Sequence, residues 1–153
     1  MRKILVIGAG KSTAYLMNYF LEKSGPEQLQ LQVADLNPEN VPYKVRSHPS
    51  CTVIPLDILD SSQRASCIQE ADIVISMLPA RFHIMVAEDC LNFGKHLVTA
   101  SYISKEIRAL DPSVKEKGLI FMNEIGLVFY VYVQSLSLNI TSNMSISGAS
   151  ITS

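Results

Sequence analysis

Two glycines and one acid carry most of the chemistry legible in this chain: Gly8, Gly10 and, twenty-five positions beyond the second glycine, Asp35. The glycines lie in Gly8-Ala9-Gly10-Lys11-Ser12-Thr13, directly after the apolar run Ile4-Leu5-Val6-Ile7. A strand entering a glycine turn and then a helix is an anion site in the making. Gly8 permits the tight turn, and Gly10 lets a pyrophosphate approach the backbone. The free N–H groups of the helix start, around Lys11 and Ser12, carry partial positive charge toward the phosphates. Thr13 stands where a third glycine or alanine is usual, which predicts looser contact between helix and strand.

Gly10-Lys11-Ser12 also mimics the end of a P-loop for ATP or GTP. That loop needs a glycine five residues before Gly10, and Leu5 is there instead, inside the strand. ATP hydrolysis is therefore not expected. Asp35 closes the run Leu29-Gln30-Leu31-Gln32-Val33-Ala34, near the distance at which an acid binds the adenosine ribose. Its carboxylate would accept both ribose hydroxyls. It would also repel a 2'-phosphate, by about 4 kcal/mol per unit charge at 4 Å and an effective dielectric near 20, so NAD is favoured over NADP. The blander role is a turn or cap aspartate before Asn37-Pro38, but its coincidence with the glycine turn favours the ligand. Asp57, after Leu56, is read two ways with equal weight: as a contact to the adenine amino group, or as a turn cap with Asp60.

The elements that must position these residues follow a regular rhythm. Strands are predicted near Lys3-Ile7, Leu29-Ala34, Thr52-Leu56, Asp72-Met77, His96-Thr99 and Leu119-Phe121, alternating with helical patterns, which specifies a parallel sheet. The first helix, Lys11 to about Ser24, sets Leu16, Met17, Phe20 and Leu21 on one face, and Gly25-Pro26 ends it. Asp60 with Gln63 resembles a capping box for a helix reaching about Ala71, with Ala65, Ile68 and Ala71 inward. Phe82, Val86, Ala87, Cys90 and Leu91 repeat the helical spacing, and Gly94 closes that helix. After Ser104 a helix is expected to break at Asp111-Pro112, with Asp111 as its new N-cap, and to stop at Gly118. The whole is predicted to be an α/β Rossmann-type doubly wound sheet in the order 3-2-1-4-5-6.

Three segments are more specific: Ile75-Ser76-Met77-Leu78-Pro79, His96-Leu97-Val98-Thr99-Ala100-Ser101-Tyr102 and Asn123-Glu124-Ile125-Gly126-Leu127. Their order and placement at strand ends resemble the serial motifs of glutamate-forming saccharopine dehydrogenases. The resemblance covers about residues 1–127. It implies an oxidoreductase of lysine metabolism that oxidises saccharopine, a small-molecule substrate, to glutamate and aminoadipate semialdehyde with a nicotinamide cofactor. It also implies Leu78 and Pro79 against the cofactor ribose, Ala100 and Ser101 beside the nicotinamide, and Ser101 with Tyr102 at the substrate's edge. His83 and His96 are read as structural, and no residue is assigned as catalytic acid or base.

Composition bounds what else the chain could be. With 153 residues, 48% apolar, 18% charged and a net charge of -1, it suits one ordinary globular domain, and a chain this long buries roughly 70% of its unfolded surface. There is no basic excess for nucleic acid, and no apolar run near the roughly 20 residues of a membrane span. Cys51, Cys67 and Cys90 have no zinc spacing and are expected to be free thiols in the cytoplasm, since no leader precedes the first strand. No metal is expected.

Residues 127–153 depart from this pattern, with no Asp, Glu, Lys or Arg and seven serines. Leu127 to Val133 has the β propensity of a buried strand or an aggregating segment. Asn139-Ile140-Thr141 and Asn143-Met144-Ser145 match the glycosylation pattern by coincidence. In the resembled family an Asp-Pro-Gly turn and a substrate and subunit-pairing domain follow Gly126-Leu127, the route to a homo-oligomer, whereas Val128-Phe129-Tyr130 follows here. The chain is thus expected to be a Rossmann domain over 1–126 and an atypical tail over 127–153, a truncated or frame-shifted product. The alternative is a non-catalytic NAD-binding sensor, resembling the regulatory domains attached to potassium channels.

Overall fold

The computed structural model describes residues 1–124, so Ile125, Gly126 and everything expected of the tail lie outside the described residues. Side chains alternate across a strand, and in β1 (Arg2–Ile7) they are apolar on both sides. Ile4 and Val6 enter one hydrophobic layer and Leu5 and Ile7 the other, all four buried. Burial on both faces is what a central parallel strand requires. Around it stand β2 (Leu29–Asp35), β3 (Cys51–Pro55), β4 (Ile73–Ser76), β5 (His96–Thr99) and the short β6 (Phe121–Met122). The order is β3-β2-β1-β4-β5-β6 and every neighbouring pair is parallel. The predicted 3-2-1-4-5-6 sheet is therefore present, with strand limits within two residues of those expected.

Helix α1 (Thr13–Ser24) lays Leu16, Met17 and Leu21 on the face that holds Ile4, Val6, Leu31 and Val33. On the opposite face α3 (Ser61–Glu70), α4 (His83–Phe93) and α5 (Lys105–Ala109) cover Leu5, Ile7, Val74 and Leu97 with Ile68, Val86, Ala87, Cys90 and Ile107. A fully buried Leu, Ile or Val stabilises by about 1.5–3 kcal/mol, so these two layers, rather than the turns, hold the frame. β1 ends at Ile7, opposite Ala34 of β2 and Ser76 of β4. From there the chain winds outward both ways, which opens a crevice at the carboxyl ends of β1 and β4.

Several details differ from the sequence reading. Gly25 keeps a right-handed φ of -68°, and the left-handed residue that turns the chain into β2 is Gln28, at φ 52°. In α3 the buried residues are Arg64 and Ile68, while Ala65 is only half-buried. Arg64 turns inward because Asp89 and the Ile58 carbonyl receive its guanidinium. Asp60 caps α3 as expected, accepting from the Ser62 and Gln63 amides. The break at Asp111-Pro112 is real, but Leu110 is the N-cap of α6 (Asp111–Glu116). Asp111 is its first residue, ion-paired with Lys115. The segment between β2 and β3, left without an element above, forms a 3-10 turn at Pro38–Asn40 and the one-turn helix α2 (Tyr43–Arg46), anchored by buried Val41 and Val45.

Candidate dinucleotide-binding site

The glycine turn sits at the mouth of this crevice. The Gly8 amide donates to the Ala34 carbonyl at 2.8 Å and the Met77 amide to the Ile7 carbonyl at 2.8 Å, tying β2, β1 and β4 together where the turn begins. Gly8 has φ +99°, and a Cβ there would stand 3.1 Å from the Met77 carbonyl oxygen. Both facts demand glycine. At Gly10 a Cβ would meet only Thr13 Oγ1, at 3.9 Å, so nothing inside the protein forbids a side chain and the free space faces outward. Thr13 itself is buried, and its amide donates to the Gly10 carbonyl at 2.9 Å.

What remains at the start of α1 is a row of unpaired donors. Among the described hydrogen bonds the amides of Gly10, Lys11 and Ser12 have no protein acceptor. Ser12 makes no side-chain cap, and the first turn of α1 contains no acid. A helix start left uncapped and uncompensated favours an anion in front of it. These residues fit the pyrophosphate of a dinucleotide.

Asp35, at the end of β2, faces this turn. Its Oδ2 accepts from the Ala9 amide at 2.7 Å, and its Oδ1 from the Asn37 amide and Asn40 Nδ2, both at 2.9 Å. The local turn role is thus present in full, and the same carboxylate staples β2 to the glycine turn. An ionised carboxylate offers about four acceptor positions, so about one is left for a ribose hydroxyl, not the two expected above. Asp57 Oδ1 accepts from the Leu59 amide at 2.9 Å and the Asp57 carbonyl from the Asp60 amide at 3.0 Å, so the turn reading with Asp60 is present. A cleft of about 260 Å³ runs between Asp35-Leu36, Asp57-Ile58 and Leu78 with Phe82, and its apolar walls suit a flat base. A wider depression of about 620 Å³ lies beyond Leu36 and Asp57 toward α3, away from the glycine turn.

On the other side of the crevice are the ends of β4 and β5. Leu78 is half-buried and Pro79 exposed after β4, while Ala100 and Ser101 are half-buried and Tyr102 exposed after β5. His83, read above as structural, joins these two loops. Its Nδ1 lies 2.8 Å from Ser76 Oγ and its Nε2 2.9 Å from Ser101 Oγ, with Ser76 and His83 buried. Burial pushes the His83 pKa below its ordinary 6.5, so the ring is neutral near pH 7. Sequence spacing gave no sign of this bridge, because its partners lie 7 and 18 residues away, one at the end of β4 and one in the loop after β5. His96 is different: its Nδ1 accepts from the Ile120 amide at 3.1 Å and serves the β5–β6 edge.

The third motif closes the same end. Thr99 Oγ1 donates to Asn123 Oδ1 at 2.9 Å, the Glu124 amide to the Ser101 carbonyl at 3.0 Å, and the Ile103 amide to Glu124 Oε1 at 3.2 Å. Glu124 takes φ 65°, an uncommon conformation for a non-glycine residue, held by these two contacts. Burial pushes the Cys51 thiol up to about 11 and raises those of Cys67 and Cys90, so none is activated as a nucleophile. Among the described residues no group of three or more metal-type ligands converges, and no helix is long and apolar enough to cross a membrane.

A doubly wound parallel sheet with an open helix start and a strand-end acid at its switch point defines a dinucleotide-binding domain of the Rossmann class. Residues 4–122 match the model of the saccharopine dehydrogenase NADP binding domain, and the chain belongs to that family. It is 32% identical over 126 residues to the NADP(+), L-glutamate-forming saccharopine dehydrogenase of Pyricularia oryzae, covering 82% of this chain and 27% of that one. It is 28% identical over 141 residues to the alpha-aminoadipic semialdehyde synthase of Arabidopsis thaliana, covering 81% and 13%. The apo saccharopine dehydrogenase (L-Glu forming) of Saccharomyces cerevisiae superposes with a TM-score of 0.73 at 26% identity, over 90% of this chain and 31% of that one. The chain thus spans less than a third of the length of these relatives. The preference for NAD finds no support here: the family model and the Pyricularia enzyme both carry NADP in their descriptions. Nothing in these likenesses supports a regulatory sensor.

Proposed function

We propose that this chain is the cofactor module of a saccharopine dehydrogenase-type oxidoreductase of lysine metabolism, with residues 1–126 as the dinucleotide-binding domain. The carrying observation is the uncapped amide row of Gly10, Lys11 and Ser12 beside the Asp35 staple, inside the fold of that family. The pyrophosphate rests on those amides, and the adenosine lies in the cleft bordered by Asp35 and Asp57. Leu78 and Pro79 run along a ribose, Ala100 and Ser101 flank the nicotinamide, and Ser101 and Tyr102 face the substrate. The cofactor supplies a hydride acceptor for the carbon next to saccharopine's secondary amine, and the protein's share is to orient it and exclude water. In this reading, turnover and subunit pairing are assigned to the part of the relatives' length that this chain does not span. Location in the cytoplasm is part of this reading, and fractionation of source cells tests it.

Within this reading the family description favours NADP, and the charge of Asp35 favours NAD. Asp35→Ala is expected to raise NADP affinity relative to NAD by about tenfold or more, because it removes a like charge near the 2'-phosphate. Equal effects on both cofactors would show that Asp35 does not select between them. The site itself is tested by NADPH fluorescence titration of the chain and of Gly10→Asp. The open space at Gly10 leaves folding intact, and the added carboxylate opposes the pyrophosphate. More than a tenfold loss of affinity is expected; unchanged binding rejects the proposed seat.

A further inference from the structure

We infer that His83 is a positioning residue: the buried relay Ser76–His83–Ser101 fixes the Ser101 hydroxyl as a hydrogen-bond donor toward the nicotinamide carboxamide. The inference rests on the cofactor placement proposed above and adds to it a direction for each proton. Among the described hydrogen bonds Ser76 Oγ has one partner, His83 Nδ1 at 2.8 Å, and Ser76 is fully buried. A buried hydroxyl hydrogen without an acceptor is costly, so the Ser76 O–H donates to Nδ1. A neutral imidazole carries one N–H, which must then be on Nε2. That N–H donates to Ser101 Oγ at 2.9 Å and occupies one of its acceptor positions. The hydrogen of Ser101 is left without a protein partner in this chain of bonds, and Ser101 is only half-buried.

The elements make this direction rigid. Ser76 is the last residue of β4 and His83 the first of α4, while Ser101 follows β5 and has its carbonyl bound by the Glu124 amide. Three separate segments of the sheet's carboxyl edge are therefore fixed through one imidazole. The carboxamide of a nicotinamide has both an acceptor oxygen and a donor nitrogen. With one acceptor position of Ser101 Oγ filled by the His83 N–H, its free O–H is aimed at the carboxamide oxygen and holds the carboxamide beside the end of β5.

The test compares NADP with the same molecule lacking nicotinamide, 2'-phospho-ADP-ribose, by calorimetric titration into the full chain. His83→Leu and Ser101→Ala are each expected to weaken NADP about threefold to tenfold while leaving 2'-phospho-ADP-ribose unchanged. His83→Gln, which retains one donor and one acceptor, is expected to recover part of the loss. Nitrogen-15 NMR of the ring is expected to show the Nε2–H tautomer. Equal weakening of both ligands would reduce His83 to a structural role and overturn the inference, as would no change in either variant or an Nδ1–H tautomer. Should His83→Leu fail to fold, Ser101→Ala alone decides. Failure of both ligands to bind the unaltered chain would instead remove the cofactor reading and this inference with it.

Discussion

Gly8 and Gly10 are both glycine for different reasons, and the difference can be measured. Alanine at Gly8 must adopt φ near +99° and press on the Met77 carbonyl, so Gly8→Ala is expected to cost about 2 kcal/mol or more. Gly10→Ala enters open space and is expected to stay within about 0.5 kcal/mol of the unaltered chain. Urea unfolding of the two variants checks this, and equal stability would refute the close approach at Gly8. His83 adds a pH dependence. Its folded pKa lies below 6.5, so the unfolded chain binds more protons between the two values. This contribution to stability is complete above about pH 6.5 and declines as pH falls through that value. The urea midpoint is expected to be lower at pH 5.5 than at 7.5, and the gap to narrow in His83→Gln; an undiminished gap would locate the pH effect elsewhere.

The helices on the second face are joined by a charge pair that apolar patterning does not reveal. Arg64 of α3 meets Asp89 of α4 at 2.6 Å with both side chains largely buried, and Arg64 Nη1 also holds the Ile58 carbonyl at 2.6 Å. Removing one partner strands a charge in the interior, so Arg64→Ala is expected to cost about 3 kcal/mol, with part recovered in Arg64→Ala/Asp89→Ala. Calorimetric unfolding of this mutant cycle tests the coupling; additive losses would mean the pair is incidental. The pair shows why some features were legible in sequence and others were not. Ile4-Leu5-Val6-Ile7 and the stripe Leu16, Met17, Leu21 announce themselves through local period, and Asp60 through local capping. Arg64–Asp89 and Ser76–His83–Ser101 depend on which loops the finished sheet brings together, and no local spacing encodes that. α2 was missed because a helix of four residues has no period to read.

At the scale of the molecule, strand order alone places Gly8 to Ser12, Asp35 and the ends of β4 and β5 along one edge, and those are the positions singled out from sequence. Their chemistry was less fully legible than their location. The acid expected to receive a ribose already holds Ala9, Asn37 and Asn40, and the histidine read as filler links two ligand loops. The turn contact of Asp35 to Asn37 is local and legible in sequence, whereas its tie to Ala9 and the two partners of His83 become visible only once the sheet is assembled. In the proposed function the bare start of α1 seats a dinucleotide pyrophosphate. The most direct measurement of this is calorimetric titration of NADP and of NAD into the purified chain. The expected result is one site per chain, with micromolar-to-millimolar affinity for at least one of the two. Heats indistinguishable from dilution for both, with the chain folded, would contradict it.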